Sequence, residues 1–390
     1  MAIDKQLLRE RIRLAADWFA NAQCRQQRPY WDANHGRFPY NKHLPSGKVV
    51  WGLNWSCARG IMVLIAADRL APDDRYMETA RTAAEYIEIL QVLDRRFPEN
   101  FGAIREEVPQ SRRYNIRDQA EAASALLYLG VYLGEEQLVE RARLWAEWYL
   151  KYAVDPKTGW PFVFREADGR TWKPGDIYFL AANGIFMHQL GKRLGAEKYV
   201  RKGLLRNAAY ALKHVFNERG AMAIESGWSQ HAGPDGMVTN EDGAIIALIA
   251  AARVSEQAKY RKAVLRHLDQ VMKLPLPLEI YSAMGSTLMC AAEAARVWDH
   301  APAKEYIERA LPHLLALQIT DAKSADAGAF LGEDEDPKWY SDGAKTDYVT
   351  TRTTAYSALA LAKVEGTVVT GGYSSEAELP VRAQKWEPKS

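Results

Sequence analysis

Helix-forming segments of two kinds alternate along the chain, and this alternation limits the possible folds more than any other feature. The first kind is charged and amphipathic, with apolar residues at i, i+3, i+4 and i+7. In the segment that contains Arg81 and Glu85, for example, Ala84, Ile87 and Leu90 share one face. Such helices expose one side to solvent and bury the other. Segments of this kind span residues 5–22, 73–93, 135–152, 196–216, 256–272 and 302–317.

The second kind of segment is apolar on nearly every side and rich in Ala, Gly and Ser. A helix with small, apolar residues around its whole circumference is enclosed by other helices, so these segments predict an inner layer. They begin at Asn54, Arg117, Tyr178, Glu241, Tyr281 and Arg352.

One outer segment precedes each inner segment, which gives twelve helices in six hairpins. The inner segments at residues 54, 117, 178 and 241 begin 63, 61 and 63 residues apart, and intervals of 40 and 71 follow. Repetition of one helical unit is typical of a repeat architecture rather than of two unrelated domains. The prediction is an all-α fold, an (α/α)6 toroid, as a single domain over residues 1–366 with a C-terminal tail at 367–390.

The lengths of the connections predict where a functional site lies. Connections from an inner to an outer segment are short, whereas those from an outer to an inner segment are mostly long. All long connections therefore meet at one rim, above the N-termini of the inner helices, which carry partial positive charge and unpaired N–H groups. Long loops on a rigid scaffold commonly hold binding and catalytic residues. The long connections span residues 23–53, 94–116, 153–177, 217–240 and 318–351.

Tryptophan and tyrosine are abundant in this rim. Aromatic rings stack on the apolar faces of sugars while neighbouring polar groups bind the hydroxyls, so the rim suits a carbohydrate site. The alternative is that large rings pin the loops to the barrel, and we assign that role to Trp160 and Trp172. The aromatic residues predicted to bind substrate are Trp51, Trp55, Tyr178, Trp228 and Tyr281.

Four carboxylates lie at or just before the starts of inner segments. Asp118 is in the first turn of the second inner helix, Glu241 and Asp242 open the fourth, and Glu225 precedes it. A carboxyl group enclosed at the mouth of a toroid has a raised pKa and can protonate a leaving oxygen, while a second one activates water. We predict that Asp118, Glu241 and Asp242 are catalytic and that Glu225 binds substrate. The alternative is that acids in a first helical turn only stabilise the helix dipole.

Cationic and histidine side chains complete the candidates. Arg117 and Arg352 are placed at inner-helix starts, where a guanidinium can bind a substrate carboxylate through two parallel hydrogen bonds. His231 lies in a glycine-containing rim loop near a tryptophan and is predicted to contact substrate. His188, on an apolar inner segment, is predicted to be a core histidine.

Composition and motifs exclude several classes of partner. The chain has 51 Lys and Arg against 49 Asp and Glu, which argues against nucleic acid or an anionic membrane as a partner. No HExxH, GxGxxG or P-loop occurs, so neither a metal nor a cofactor is expected. The N-terminus has no apolar signal, no apolar stretch is long enough to span a bilayer, and the three cysteines are scattered. We therefore expect a cytoplasmic protein that binds a small oligosaccharide, in an oligomeric state that the sequence does not predict.

Two segments resemble those of (α/α)6 carbohydrate-active enzymes, most nearly the unsaturated glucuronyl and rhamnogalacturonyl hydrolases. NWSCARGIMVLIAADRLAPDDRYMETARTAAEYI is similar to the first inner helix of this family and the outer helix after it, and IRDQAEAASALLYLGVYLGEEQLVERARLWAEWYL is similar to the second pair. The resemblance implies that Asp118, as the helix-opening acid, is the general acid and base. Asn54 stands near the position of the family's earlier pocket aspartate, and Gln119 follows the implied catalytic acid, so both are expected to bind substrate.

Together these features predict a glycoside hydrolase that acts from the non-reducing end of short oligosaccharides bearing a uronic acid. A toroid with one mouth favours such exo action. The same barrel also carries sugar epimerases and polysaccharide or oligosaccharide lyases, and a fold does not by itself decide between them. A sugar-binding protein without catalysis would need the aromatic residues but not the acids.

Overall fold

The computed structural model describes residues 3–25, 34–172, 183–223, 237–239, 242–278, 280–332, 344–366 and 373–387, and it is mostly helical. The inner helices are α2 (Asn54–Leu70), α4 (Ile116–Leu133), α6 (Asn183–Leu194), α8 (Asp242–Ser255), α10 (Tyr281–Trp298) and α12 (Thr351–Glu365). The outer helices are α1 (Lys5–Ala22), α3 (Asp74–Leu90), α5 (Glu136–Tyr152), α7, α9 (Ala258–Val271) and α11 (Ala301–Ala316). Helix α7 consists of Glu197–Tyr199, a π-helical stretch Val200–Leu205, and Arg206–His214.

The inner helices form a closed ring. Each contacts the next inner helix along the chain, from α2 through α4, α6, α8 and α10 to α12, and α12 contacts α2 again. The outer helices pack around this ring, with α3 against α2 and α4, and α1 against α12 and α2. The prediction of an all-α (α/α)6 toroid is therefore confirmed.

Burial follows the two sequence patterns. Ala84 and Ile87 of α3 are buried, whereas Glu85 on its other side is exposed. Each fully buried isoleucine or leucine side chain contributes about 1.5–3 kcal/mol to folding. Helix α2, by contrast, is buried on every side along most of its length. A Cβ atom on Gly60 of α2 would lie 2.3 Å from the ring of Phe38, so this approach leaves no room for a side chain.

Helix α4 is delimited by the residues at its two ends. The side chain of Asn115 accepts a hydrogen bond from the backbone N–H of Asp118 at 3.5 Å. The helix ends at Gly134, whose φ of 76° is in the left-handed region that glycine adopts without a steric penalty. The cap fixes the first turn of α4, which carries Arg117 and Asp118, at the rim.

Two small antiparallel sheets lie among the rim connections. One has the strand order β2 (Val49–Trp51), β1 (Pro39–His43) and β6 (Tyr348–Thr350), and the other has the order β3 (Arg113–Asn115), β4 (Phe164–Glu166) and β5 (Thr171–Trp172). Sequence analysis missed these strands, because strands of two to five residues are too short for a period-two pattern to be recognised. Since β3 runs directly into α4 and β6 into α12, the sheets orient the N-termini of two inner helices.

Predicted helix boundaries differ from the observed ones by a few residues. Helices α4 and α12 begin at Ile116 and Thr351, one residue earlier than predicted, and α3 ends at Leu90 rather than at residue 93. The helix starts predicted at Tyr178 and Glu241 lie outside the described residues.

Residues 373–387, here called the C-terminal strap, cross the end of the barrel opposite to the rim. Arg382 donates from Nε and Nη2 to both carboxylate oxygens of Asp68, near the end of α2, at 2.8 and 2.9 Å. The backbone N–H of Ser375 donates to Glu293, in the last third of α10, at 2.8 Å. The strap therefore binds to the C-terminal parts of the inner helices.

The division of the chain into a barrel domain at residues 1–366 and a tail at 367–390 stays a prediction. In the described ranges, the helices are all too short or too polar to cross a membrane.

Candidate functional site

A buried ion pair lies at the centre of the ring. Arg59 of α2 donates from Nε and Nη2 to the two carboxylate oxygens of Glu121 of α4, at 2.9 Å each. The side chain of Arg59 has no exposed surface, and its guanidinium lies 4.5 Å from the ring centre of Trp55 and 4.1 Å from that of Tyr356. The bidentate geometry and the two aromatic faces compensate the loss of hydration of both charges. This ion pair of Arg59 and Glu121, here called the floor, lies beneath the rim.

Two tyrosine hydroxyl groups complete this floor. Tyr356 of α12 accepts a hydrogen bond from Arg59 Nη2 at 2.6 Å. Tyr373 of the C-terminal strap accepts from Arg59 Nε at 2.9 Å and donates to Glu121 Oε1 at 3.0 Å. Burial opposes the ionisation of Glu121, but Arg117, Arg59 and the hydrogen bonds to the carboxylate lower its pKa. Glu121 is therefore a stable anion and not a proton donor.

Arg117 connects this floor to Asp118. Its Nη2 atom donates to Glu121 Oε1 at 2.8 Å and lies 3.3 Å from the hydroxyl of Tyr356. Its Nη1 atom lies 3.5 Å from Asp118 Oδ1. Residues at i and i+4 share one side of a helix, so the first turn of α4 directs Arg117 and Glu121 to the same place.

The surroundings of Asp118 raise the pKa of its carboxyl group. The residue is almost wholly buried, at 7% exposure. Burial and the charge of Glu121 raise its pKa to about 6, against the opposing effect of Arg117 and Arg59. A carboxyl group with a pKa close to the working pH is suited to proton transfer. The catalytic role of Asp118 stays a prediction, for which this environment is favourable.

Sequence analysis missed a second carboxyl group, that of Glu106. It lies in the connection between α3 and β3, where its backbone oxygen accepts a hydrogen bond from the N–H of Asn54 at 3.1 Å. Burial and the charge of Asp118 raise the pKa of Glu106 to about 7, while Arg113 opposes the shift. The two carboxyl groups interact, so they titrate as a pair. The signal that could have found this residue is the acidic dipeptide at 106–107 in a long rim connection.

A polar cleft opens from Glu106 to solvent. The residues that line it are Leu53, Glu106, Glu107, Ser111, Arg112, Arg113 and Glu166. Arg113 pairs with Glu166 at 3.1 Å between β3 and β4, and Arg37 pairs with Glu107 at 3.1 Å. Side chains of this polarity can bind water or sugar hydroxyl groups beside Glu106.

The structure brings three of the predicted substrate-binding residues together. Trp55, which is 7% exposed, packs on the guanidinium of Arg59. Arg352 lies over the ring of Tyr356, 6.0 Å from its centre. Arg117 also contacts Tyr356. These side chains therefore surround one buried cluster at the N-terminal end of the inner ring.

Asn54 and Gln119 face other parts of the fold. The Nδ2 atom of Asn54 donates to the backbone oxygen of Arg105 at 2.9 Å. The Oε1 atom of Gln119 accepts from the backbone N–H of Ile104 at 2.8 Å and from Trp145 Nε1 at 3.0 Å. Both side chains are fully buried, and they hold the connection between α3 and β3 against the inner and outer helices.

The remaining predicted residues are at the rim or outside the described ranges. Trp51 and Tyr281 are half-buried, at the end of β2 and the start of α10. For Asp242, the structure describes only the position of the residue at the start of α8. The predicted site residues that lie outside the described residues are Tyr178, Glu225, Trp228, His231 and Glu241.

Sequence analysis assigned Trp160, Trp172 and His188 to packing, and these three residues differ in how deeply they are buried. Trp160 is 3% exposed and stacks on Tyr210 with ring centres 4.7 Å apart, as expected of a packing residue. His188 is buried in α6, in agreement with its assignment to the core. Trp172 is 52% exposed, so the packing role assigned to it is wrong, because its ring lies on the surface of β5.

The described part of the chain also contains histidine, cysteine and further acidic side chains. Among these residues, no group of three or more His, Cys, Asp or Glu is placed to hold a metal ion. Burial raises the pKa of the Cys57 thiol to about 12, which makes it a poor nucleophile at neutral pH. The described site therefore offers carboxyl, guanidinium and aromatic groups.

Solved structures of sugar enzymes share this fold. The unsaturated glucuronyl hydrolase of Bacillus sp. GL1, responsible for the degradation of glycosaminoglycan, has a TM-score of 0.66 at 15% identity, covering 95% of this chain and 100% of its own. A UGL structure with dGlcA-Glc-Rha-Glc has a TM-score of 0.65 at 17% identity, covering 94% and 99%. Cellobiose 2-epimerase from Bacillus thermoamylovorans B4167 has a TM-score of 0.67 at 10% identity, covering 93% and 100%.

These comparisons confirm the resemblance to (α/α)6 carbohydrate-active enzymes at the level of the fold. The chain matches no protein-family model and no curated protein. Hydrolases and epimerases are both among the similar structures, so the reaction has to be argued from the site.

Proposed function

We propose that this protein is a glycoside hydrolase that removes a uronic-acid residue from the non-reducing end of short oligosaccharides, with Asp118 as the proton donor. The observation that carries the proposal is the environment of Asp118. It lies at the mouth of the ring beside Arg117 and above a buried ion pair, and its pKa is raised to about 6. An acid with this pKa is available as a proton donor near neutral pH.

The proposed reaction uses two carboxyl groups. Asp118 transfers its proton to the oxygen of the glycosidic bond as that bond breaks, so the departing sugar leaves as a neutral alcohol. Glu106, in its ionised form, accepts a proton from the water that adds to the remaining sugar. Because the pKa of Glu106 is the higher of the two, this arrangement is the less populated form of the singly protonated pair. One water molecule is consumed, and proton exchange with solvent restores both carboxyl groups. Two carboxyl groups around the scissile bond are the usual requirement for this hydrolysis.

The charge of the buried cluster supports a uronic acid as the sugar bound there. Arg59 and Arg117 carry two positive charges, and Glu121 neutralises one of them. When Asp118 is protonated and Glu106 is ionised, the charges of Arg59, Arg117, Glu121 and Glu106 balance. Arg352 brings a further guanidinium to the ring of Tyr356. A carboxylate is the substrate group that suits such side chains best, because a guanidinium binds it through two hydrogen bonds.

The covered end of the barrel supports exo action. The C-terminal strap bonds to Asp68 and Glu293 at the end opposite to the rim. A substrate that enters at the rim therefore meets the floor formed by Arg59 and Glu121. Such a blind pocket admits the end of a chain rather than its middle.

An epimerase is the second candidate, because cellobiose 2-epimerase has a similar fold. Such an enzyme would use acid and base groups to remove a proton from carbon and return it on the other face. The two reactions differ in their products, since hydrolysis releases two smaller sugars and epimerisation leaves the mass unchanged.

The test is a substrate screen with the purified protein. Uronic-acid disaccharides with and without a double bond, aryl glucuronides and cellobiose are incubated with the parent chain and with Asp118→Asn. We expect release of a monosaccharide from a uronic-acid substrate by the parent only, measured by mass spectrometry and NMR. An epimer of unchanged mass identifies an epimerase, a new double bond identifies a lyase, and saturable binding without turnover identifies a sugar-binding protein.

A further inference from the structure

The C-terminal strap inserts one side chain into the centre of the ring. Tyr373 begins the described part of the strap and is 3% exposed. Its hydroxyl contacts both members of the floor, Arg59 at 2.9 Å and Glu121 at 3.0 Å. Its ring meets that of Tyr356 edge to face at 6.0 Å. The hydroxyl thus arrives at the floor from the side opposite to the rim.

Contacts outside the site hold the strap in place. The backbone N–H and the hydroxyl of Ser375 both donate to Glu293 of α10. Glu376 accepts from Arg253 of α8 at 2.9 Å and from Arg296 of α10 at 2.6 Å. These several anchors bind the strap to two inner helices at contacts that do not involve Arg59 or Glu121.

We propose that Tyr373 is a positioning residue for the reaction, whose hydroxyl fixes the Arg59 and Glu121 pair and, through Glu121, the orientation of Arg117 beside Asp118. This inference rests on the proposed function of Asp118. It assigns to a residue of the strap, far along the chain from Arg59, Arg117 and Asp118, a direct part in the organisation of the site.

Three hydrogen-bond donors converge on one oxygen of Glu121. Its Oε1 atom accepts from Arg59 Nη2, from Arg117 Nη2 at 2.8 Å and from the hydroxyl of Tyr373. Arg117 also lines a small cavity between the inner helices together with Glu121 and Tyr373. Loss of the hydroxyl leaves a gap in this buried network, which Arg59 and Arg117 can fill only by moving. A movement of Arg117 changes its distance to Asp118, which is 3.5 Å here.

The charged groups described around Asp118 define the expected direction. Arg59 of α2 and Arg117 of α4 lower the pKa of Asp118, while Glu121 raises it. Glu106, in the connection between α3 and β3, interacts with Asp118 as the second carboxyl group of the pair. The hydrogen bond from Tyr373 stabilises the charge of Glu121. Without that hydrogen bond the negative charge of Glu121 acts more strongly on Asp118. The pKa of Asp118 should therefore rise.

The test compares Tyr373→Phe with Ser375→Ala. The first variant keeps the ring and removes the hydroxyl, whereas the second removes the side-chain anchor of the strap at Glu293, away from the site. For Tyr373→Phe we expect kcat/KM to fall by roughly 5- to 10-fold and the pH profile to shift upward. For Ser375→Ala we expect a lower melting temperature with an unchanged pH profile. Both variants lose hydrogen bonds to charged groups, but only those of Tyr373 involve Arg59 and Glu121.

Two results would overturn the inference. In the first, Tyr373→Phe has the kcat/KM and pH profile of the parent. In the second, both variants lose activity only in proportion to their loss of folded protein, which would make the strap a purely stabilising element. If the parent cleaves no uronic-acid substrate, the proposed function fails separately. The inference is then tested by 13C NMR titration of the Asp118 carboxyl, assigned with Asp118→Asn: an upward shift in Tyr373→Phe supports it, and an unchanged titration overturns it.

Discussion

The side chain of Asn54 donates a hydrogen bond to the backbone oxygen of Arg105, 2.9 Å away. This bond, together with that from the Asn54 backbone N–H to the oxygen of Glu106 at 3.1 Å, ties the start of the first inner helix to the rim connection. Asn54 is thus expected to act on the site through the position of Glu106 rather than by contact with substrate.

Substitution of Asn54 tests this role. Asn54→Ala should cost about 1–3 kcal/mol of stability, because the oxygen of Arg105 loses a buried donor. It should also lower kcat by loosening the connection at Arg105, the residue next to Glu106. The matched control is Asn100→Ala. Asn100 lies in the same connection as Arg105, and its Nδ2 atom donates to the backbone oxygen of Ala167 at 3.0 Å. Equal effects of both variants on kcat, measured at equal folded fraction, would contradict the assignment.

Asp118→Asn separates catalysis from helix capping. The substitution keeps the size of the side chain but removes the transferable proton, so we expect kcat to fall by ~10²-fold or more while substrate still binds. Glu136→Gln is the control, because Glu136 is also an acid in a first helical turn, that of α5, and is exposed at the outer ring. A first-turn charge alone contributes a few tenths to ~1 kcal/mol of stability. If both variants keep near-parental kcat, Asp118 is a helix-dipole residue.

The same substitution has an expected effect on how stability depends on pH. The pKa of Asp118 in the folded protein is above its ordinary value of 3.8, so its contribution is fully present below about pH 4 and is lost as the pH rises through about 6. The neutral amide introduced by Asp118→Asn does not titrate and loses nothing over this range. The free energy of unfolding of the variant, relative to the parent, should therefore increase between these two pH values, as measured by urea denaturation. A constant difference would contradict the raised pKa.

The fold was predictable because it depends on patterns that repeat over many residues. Each outer helix has one apolar face, and each inner helix is apolar all round, so the two layers could be assigned from periodicity alone. The site was only partly predictable, because it depends on residues far apart in the chain. Arg59 is the one charged residue between positions 54 and 67 of an apolar segment, and its partners Glu121 and Tyr373 follow 62 and 314 residues later.

The positions of Asp118 and Gln119 show that two residues adjacent in the sequence can face different parts of the fold. Successive residues on an α-helix point about 100° apart, since there are 3.6 residues per turn. Gln119 therefore turns outward to the indole N–H of Trp145, whereas Asp118 and the long side chain of Arg117 meet at the mouth of the ring. Neighbours in the sequence at a helix start do not share a site merely because they are neighbours.

The interacting carboxyl groups predict a pH optimum. The pKa is about 6 for Asp118 and about 7 for Glu106, and between these values the pair holds one proton. Because the reaction needs one protonated and one ionised carboxyl group, kcat/KM should be highest in this interval and fall on both sides. Glu106→Gln should remove one limb of the profile. A profile that stays bell-shaped in this variant would exclude Glu106 as the second group.

Arg352 provides a test of substrate charge. If its guanidinium binds the carboxylate of a uronic acid, Arg352→Gln should raise KM for an aryl glucuronide by roughly 10-fold, because hydrogen bonds to charged groups are worth about 1.5–3 kcal/mol. KM for the aryl glucoside, which lacks the carboxylate, should change little if it is cleaved at all. An equal rise for both substrates would assign Arg352 to packing on the ring of Tyr356.

The anchor of the C-terminal strap at the other end of the barrel should be important for stability. Arg382 pairs with Asp68 at 2.8 Å, and the two side chains are 4% and 0% exposed. Arg382→Ala leaves the Asp68 charge buried without its guanidinium, which costs about 3–5 kcal/mol in comparable pairs. The matched control is Lys385→Ala, because Lys385 pairs with Glu387 at 2.9 Å but the two side chains are 85% and 75% exposed, and such surface pairs contribute about 0–1 kcal/mol. Chemical denaturation measures both variants, and a similar small loss in each would mean that the strap is not held by its buried pair.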